Sequence, residues 1–269
     1  MSIEFWDEKR EVFRTKKGGW NIPEGVNTHG YSLYDDLVGK KSFFELLLLH
    51  VTGVMPDEKL AYWLECSFMC LSWPDPRIWC NQIGSLGGSS RTSPVSAICA
   101  ALMAADSKIY GVGTLGAVFD FMSGAKKSLD SGGDIASFIE DECQREGKLV
   151  VPGFARPIAK GDERVEVMIP LAKSLGFGTG EFLSLALKIS DYLISTRDES
   201  INFAAYIVSF LMDQKFQKSS ILTLFSLLIN GGVHACFVES NEDLHSNSFL
   251  PQKCQDIIYN GPCIRSVKV

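Results

Sequence analysis

Stretches of helical length, apolar on one or all sides and each cut short by glycine or proline, follow one another along this chain. Strand-like alternation is scarce. That rhythm restricts the fold to packed helices joined by short breaks. Residues 43 to 52 are apolar on nearly every side, as in a fully buried helix. Ser42 with Glu45 gives that helix a capping-box start, and Gly53 gives it a stop. Pro56-Asp57-Glu58 opens a second helix running to about Leu71. Further helices are expected over 96–105, 115–122, 165–175, 180–195, 202–212, 219–229 and 233–239, and one capped by Asp134 runs to about Glu146. Gly39 reads as another helix stop. Trp73-Pro74-Asp75-Pro76 is a turn, and Lys16-Lys17-Gly18-Gly19 is a second one within an N-terminal arm that extends to about Asn27. Gly87-Gly88-Ser89-Ser90 lacks the preceding strand and the lysine of a phosphate loop, which leaves close packing or a flexible loop.

The strongest interruption is at 151–164. Pro152 and Pro157 cannot sit inside a helix, and Gly153 reaches backbone angles closed to other residues. Between and after them come Phe154, Arg156, Lys160 and Arg164. A rigid loop carrying cations suits a bound carboxylate or phosphate, because guanidinium groups match such anions in charge and shape. The other reading is a surface loop with ordinary charges.

The formal net charge is −6, so no general affinity for nucleic acid is expected. Hydrophobic residues make up 46%, enough for a substantial core, yet no apolar run reaches bilayer-spanning length and the first residues do not form a signal peptide. The expectation is a cytoplasmic protein. The 8 cysteines are scattered without a CxxC pair, and the four histidines are not at metal-ligand spacing from them. Thiols and no structural metal are therefore expected, with Cys66 and Cys70 read as packing residues and His50 as a core or helix-end histidine.

Taken together, several segments resemble the citrate synthase and citryl-CoA lyase family. Pro152, Gly153, Phe154, Lys160, Asp162 and Arg164 fit its Pro-Gly-Phe-Gly-His…Lys…Asp-Pro-Arg loop. His29-Gly30-Tyr31-Ser32-Leu33 is similar to its Arg-Gly-Tyr segment. Ser42-Phe43-Phe44-Glu45 and Thr52-Gly53-Val54-Met55-Pro56 resemble its Ser-Phe-x-Glu and Thr-Gly-x-x-Pro blocks, and Ser93-Pro94-Val95-Ser96-Ala97 resembles the lead-in to its first active-site loop. Gly232 to Glu239 and Tyr259-Asn260-Gly261-Pro262 look like its closing helix and tail. The likeness runs in order from about residue 28 to 262, and the short length looks more like citryl-CoA lyase modules than full-length citrate synthases. It implies an all-α, citrate synthase-like fold, with a large helical domain over 1–145 and 205–269 and a small one over 146–204. It also implies a homodimer that binds a CoA thioester and a carboxylate partner in the cleft between the domains.

In that family an aspartate removes a proton beside the thioester carbonyl, and two histidines hydrogen-bond the developing charges. The resemblance places Tyr110 and Arg156 at the two histidine positions and Asn202 at the aspartate position. Arg164, Lys160, Gly153 and Phe154 fall at substrate-binding positions, Ile229 replaces an expected arginine, and the closing helix's histidine becomes Cys236. Tyr110 can still donate to a thioester oxygen. Arg156 cannot shuttle protons but can hold an anion. Asn202 cannot act as a base. Asp198, Glu199 and Asp162 are the neighbouring acids able to replace it, and His234 stands near enough to the closing helix to reach the cleft. Three functions stay open. One is a regulator or partner subunit that binds an acyl-CoA or carboxylate without catalysis. A second is an acyl-CoA condensing enzyme or lyase using Tyr110 and Arg156, and the third a helical protein with no small ligand.

Overall fold

The computed structural model describes the chain except residues 1, 11–12, 22, 24, 108–109, 148–150, 157–160, 228–229, 244–252, 257, 264 and 267–269. Its helices are α1 (Ile3–Asp7), α2 (Phe43–Thr52), α3 (Glu58–Leu71), α4 (Trp79–Ser89), α5 (Pro94–Ala105), α6 (Val112–Asp130), α7 (Ile135–Glu146), α8 (Glu163–Ser174), α9 (Glu181–Arg197), α10 (Phe203–Asp213), α11 (Lys218–Leu224) and α12 (Asn230–Glu242). The class is all-α, as the sequence rhythm requires. The Ser42–Glu45 capping box is formed in both directions, and Gly53 closes α2 in the left-handed conformation.

Burial organises the bundle around α10. Phe203, Ala205, Tyr206, Ile207, Val208, Phe210 and Leu211 are all buried, so this helix has no solvent stripe. Trp63 of α3 stacks on Phe210 with ring centroids 3.9 Å apart. The Trp63 indole donates to the Tyr206 hydroxyl (3.1 Å), which donates to the Met168 carbonyl of α8 (2.9 Å), so the polar tips inside this core are satisfied. One continuous hydrophobic cluster takes in residues of α3, α6, α8, α9 and α10.

A second unit is the α4–α5–α12 layer. The small-residue stretch lies inside α4, where it serves close packing and not a loop. A Cβ at Gly84 would stand 2.9 Å from the Val233 carbonyl of α12, one at Gly88 would strike the Phe237 carbonyl, and one at Gly87 would strike Ala97 of α5. Backbones approach here because side chains are missing. Opposite the buried faces, Trp79, Leu86, Val95, Met103 and Val238 are exposed.

The N-terminal arm departs from its expected turn at 16–19. It forms an antiparallel sheet of β1 (Gly18–Asn21), β2 (Gly25–Thr28) and β3 (Tyr31–Ser32). Thr28 pairs with Tyr31 across His29 and Gly30, both with positive φ, which is the two-residue hairpin turn that matches strand twist. Among the described residues one helical stretch, Lys218–Glu242, is long and apolar enough to cross a membrane by length and composition, contrary to the expectation that no run is. It spans 228–229, outside the described residues. Its α12 part owes its apolar side to contact with α4, where Val233, Cys236 and Phe237 are buried.

Candidate functional site

Asp162 is the centre of the site. It is the N-cap of α8, with a fully buried side chain. Its carboxylate accepts from Arg164 Nε and Nη2, each at 2.7 Å, from the Arg164 backbone N–H at 3.2 Å, and from the Phe203 N–H at 2.8 Å. One buried charge thus joins the N-termini of α8 and α10, where both helix dipoles favour an anion. The Arg164 guanidinium lies over the Phe203 ring, 4.9 Å from its centroid.

Arg156 reaches the same point from the preceding loop, with Nη1 3.9 Å from Asp162 Oδ1. Its guanidinium is engaged further out by Glu163, which accepts from Nη1 at Oε2 and from Nη2 at Oε1 (3.1 Å). The guanidinium holds the Glu163 carboxyl down at about 2.

Asn202 caps α10. Its amide oxygen accepts from the Ala204 and Ala205 N–H groups (2.9 and 3.3 Å), while its amide nitrogen donates to the Ala155 carbonyl at 2.8 Å. Its backbone N–H donates to the Gly153 carbonyl at 2.8 Å. Asn202 therefore fastens the 151–156 loop onto the start of α10.

Gly153 and Phe154 anchor that loop from beneath. A Cβ on Gly153 would come 2.7 Å from Ala205 Cβ and 3.0 Å from Val118, and φ is +86°. Phe154 is fully buried, with its ring 6.0 Å from Phe121. These two position the loop from inside the core. Lys160, Pro157 and Ile229 lie outside the described residues.

Tyr110 approaches from the loop ahead of α6. Its backbone N–H donates to Ser107 Oγ at 3.0 Å, its ring lies 5.5 Å from Trp79, and its hydroxyl is 3.6 Å from the Cys80 thiol at the start of α4. Burial, then the neighbouring Cys80 sulfur, pushes the phenol up, while the Arg164 charge pulls it back. The phenol stays protonated at neutral pH and can donate a hydrogen bond. Arg164's field also reaches the Cys70 thiol of α3, itself pushed up by burial. Asp162 thus brings together Arg156, Arg164 and the start of α10 that Asn202 caps, while Tyr110 contacts Trp79 and Cys80 and senses the charge of Arg164.

Of the candidate bases, Asp162 is fully committed to donors. Glu199 has a buried oxygen, Oε2, without a hydrogen-bond partner, and burial raises its carboxyl. Asp198 ends α9 in the left-handed conformation. His234 lies elsewhere, on the exposed face of α12, beside an open recess of about 820 Å³ that is lined by that helix's outer residues and Asp243.

The chain superposes on solved structures along nearly its whole length. Citryl-CoA lyase from Hydrogenobacter thermophilus matches with TM-score 0.76 at 19% identity, covering 96% of this chain and 98% of that one. The fold is that of citryl-CoA lyases and citrate synthases. ATP citrate lyase from Methanosaeta concilii, solved with (3S)-citryl-CoA, matches with TM-score 0.75 at 19% identity over 96% of this chain, which spans 44% of that one. Citrate synthase from Thermoplasma acidophilum, solved with carboxymethyl coenzyme A and oxaloacetate, matches with TM-score 0.59 at 18% identity, over 84% of this chain and 58% of that one. No family model and no curated protein matches the sequence.

Within this citrate synthase fold, three neighbours that shape the site carry no signal in the sequence. Cys80 and Trp79 sit 30 residues or more from Tyr110 and share no motif with it. Glu163 follows the matched Asp162 and looks like an ordinary first-turn acid; only the structure shows that it pairs with Arg156.

Proposed function

We propose that this chain is a citrate synthase-like protein that binds a CoA thioester, a carboxylate, or both, and that its condensing or cleaving chemistry is lost or altered. The observation that carries this reading is the commitment of Asn202. Both ends of its amide are spent on holding the α10 N-terminus and the 151–156 loop, and an amide cannot take up a proton in any case. Loss of a general base alone lowers a rate by about 10²–10⁴.

What remains supports binding. Arg156, on the loop before α8, and Arg164, in the first turn of α8, are two cations that meet at Asp162, suited to a carboxylate. Lys160 is proposed to add to them. Tyr110, a protonated phenol within Arg164's field, is suited to a thioester oxygen. The CoA thioester enters as substrate or ligand, and no other cofactor is proposed. The expected assembly is a homodimer with a large and a small domain in each subunit. The exposed apolar residues of α4, α5 and α12 favour a second copy on that face.

The second reading is an active acyl-CoA condensing enzyme or lyase. Glu199, with its unpartnered buried oxygen and raised carboxyl, supports it as the replacement base. Acetyl-CoA in heavy water separates the two. Binding without deuterium uptake at the acyl carbon is the expected result. Uptake that disappears in Tyr110→Phe and Glu199→Gln would establish the enzyme instead.

A further inference from the structure

The site contains its own competitor. An incoming carboxylate would use the two terminal nitrogens of Arg156, and these are the atoms that Glu163 already holds, one oxygen to each. The partners differ in freedom. The Arg156 side chain is 10% exposed, whereas Glu163 is 64% exposed, so the carboxylate can swing into solvent and the guanidinium cannot follow it. Glu163 is also the first residue of α8, where a released carboxylate keeps a favourable interaction with the helix terminus. The other acid, Asp162, has no such freedom: it is fully buried and bound by Arg164 and the Phe203 N–H.

We propose that Glu163 is a displaceable internal stand-in for the ligand's carboxylate and sets which anions the site accepts. This rests on the anion-binding reading of Arg156 and Arg164. A tethered carboxylate competes at high effective concentration. A ligand with a single carboxylate only replaces one such bond by another and gains little. A ligand with several carboxylates brings more negative charge against the single carboxylate of Glu163 and can displace it. The site therefore discriminates against monocarboxylates by a residue that touches no ligand in the bound state.

Titration calorimetry with citrate and with acetate tests this on the full chain and on Glu163→Gln, Glu163→Ala and Arg156→Gln. Removing a charge-assisted competitor should tighten citrate about tenfold in both Glu163 variants and bring acetate into the measurable range. Arg156→Gln should lose citrate. If the Glu163 variants bind citrate as the unaltered chain does, while Arg156→Gln still loses it, Glu163 is not the competitor and the anion site stands. If no form binds citrate, the anion site fails and the competitor with it. A measurement without any variant guards against misfolding: saturating citrate should lift the Glu163 carboxyl from about 2 toward the ordinary value near 4.3, read by carbonyl ¹³C NMR. A carboxyl that stays near 2 with citrate bound overturns the proposal.

Discussion

The α4–α12 seam and the Asp162 hub hold their helices together by opposite means. At the seam, glycines let two backbones touch, and nothing charged is needed. At the hub, a buried carboxylate gathers hydrogen bonds from two helix starts and Arg164, with Arg156 as a further ion pair. The seam tolerates no added atom; the hub tolerates no missing one. That contrast bears on function, because a seam that excludes side chains also excludes ligands, whereas a charged hub with a displaceable outer partner can admit one.

The sharpest way to break the comparison is to empty the hub. Asp162→Ala leaves Arg164 and the Phe203 N–H buried without their acceptor. Removal of one member of a buried pair costs about 3–5 kcal/mol. Urea denaturation should show this loss, and a cost below 1 kcal/mol would mean that water replaces the carboxylate and the hub is solvated. The seam should give way less. Gly88→Ala drives a methyl group into the Phe237 carbonyl of α12, an overpacking worth about 1–3 kcal/mol. Gly19→Ala, with nothing near its Cβ, should stay within about 0.5 kcal/mol by the same assay. Equal effects at the two glycines would remove the claim that the α4–α12 approach depends on missing side chains.

Asn202 belongs to the hub by position but acts as a cap. Asn202→Ala should cost about 1 kcal/mol, the usual worth of a helix N-cap, and loosen the loop at Ala155. Hydrogen exchange at the Ala204 and Ala205 amides should rise in step. Were those amides to stay protected, the cap would be redundant and Asn202 free for another role.

How legible these regions were follows from the range of their interactions. The Ser42–Glu45 box, the Gly53 stop and the Asn202 start are written in neighbours a few residues apart, and the structure reproduces them, whereas α4 is not among the expected helices and α6 runs well beyond the expected 115–122. Order along the chain was enough to suggest the citrate synthase fold. The Gly87-Gly88 stretch could be narrowed only to packing or loop, because its partners on α12 lie about 150 residues away. The I′ hairpin is hard to see in the sequence because His29 replaces the usual Asn before Gly30. Arg156 was identifiable as a cation at a substituted position, but its pairing with Glu163, seven residues on, is encoded by no periodicity.

The smallest effect tests a region outside both seam and hub, where charge is arranged to repel. The N-terminal sheet rests on the end of α2 through His29, whose ring centroid is 5.6 Å from that of His50, while Lys17 Nζ donates to the His50 carbonyl at 3.4 Å. His29 Nε2 is buried without a partner. Burial first, then Lys17 and His50, lowers its affinity for a proton. Below about 6.5 the unfolded chain therefore binds the proton more readily than the folded one. The docking contributed by neutral His29 is complete above that pH and is lost as the pH falls through the lower folded value. Amide exchange over β2, corrected for the intrinsic pH dependence, should show protection falling from pH 7 to pH 5 in the unaltered chain and holding level in His29→Gln. A sheet that loosens equally in both would place the pH sensitivity in other groups. The arm would then be held, like the seam, by shape alone.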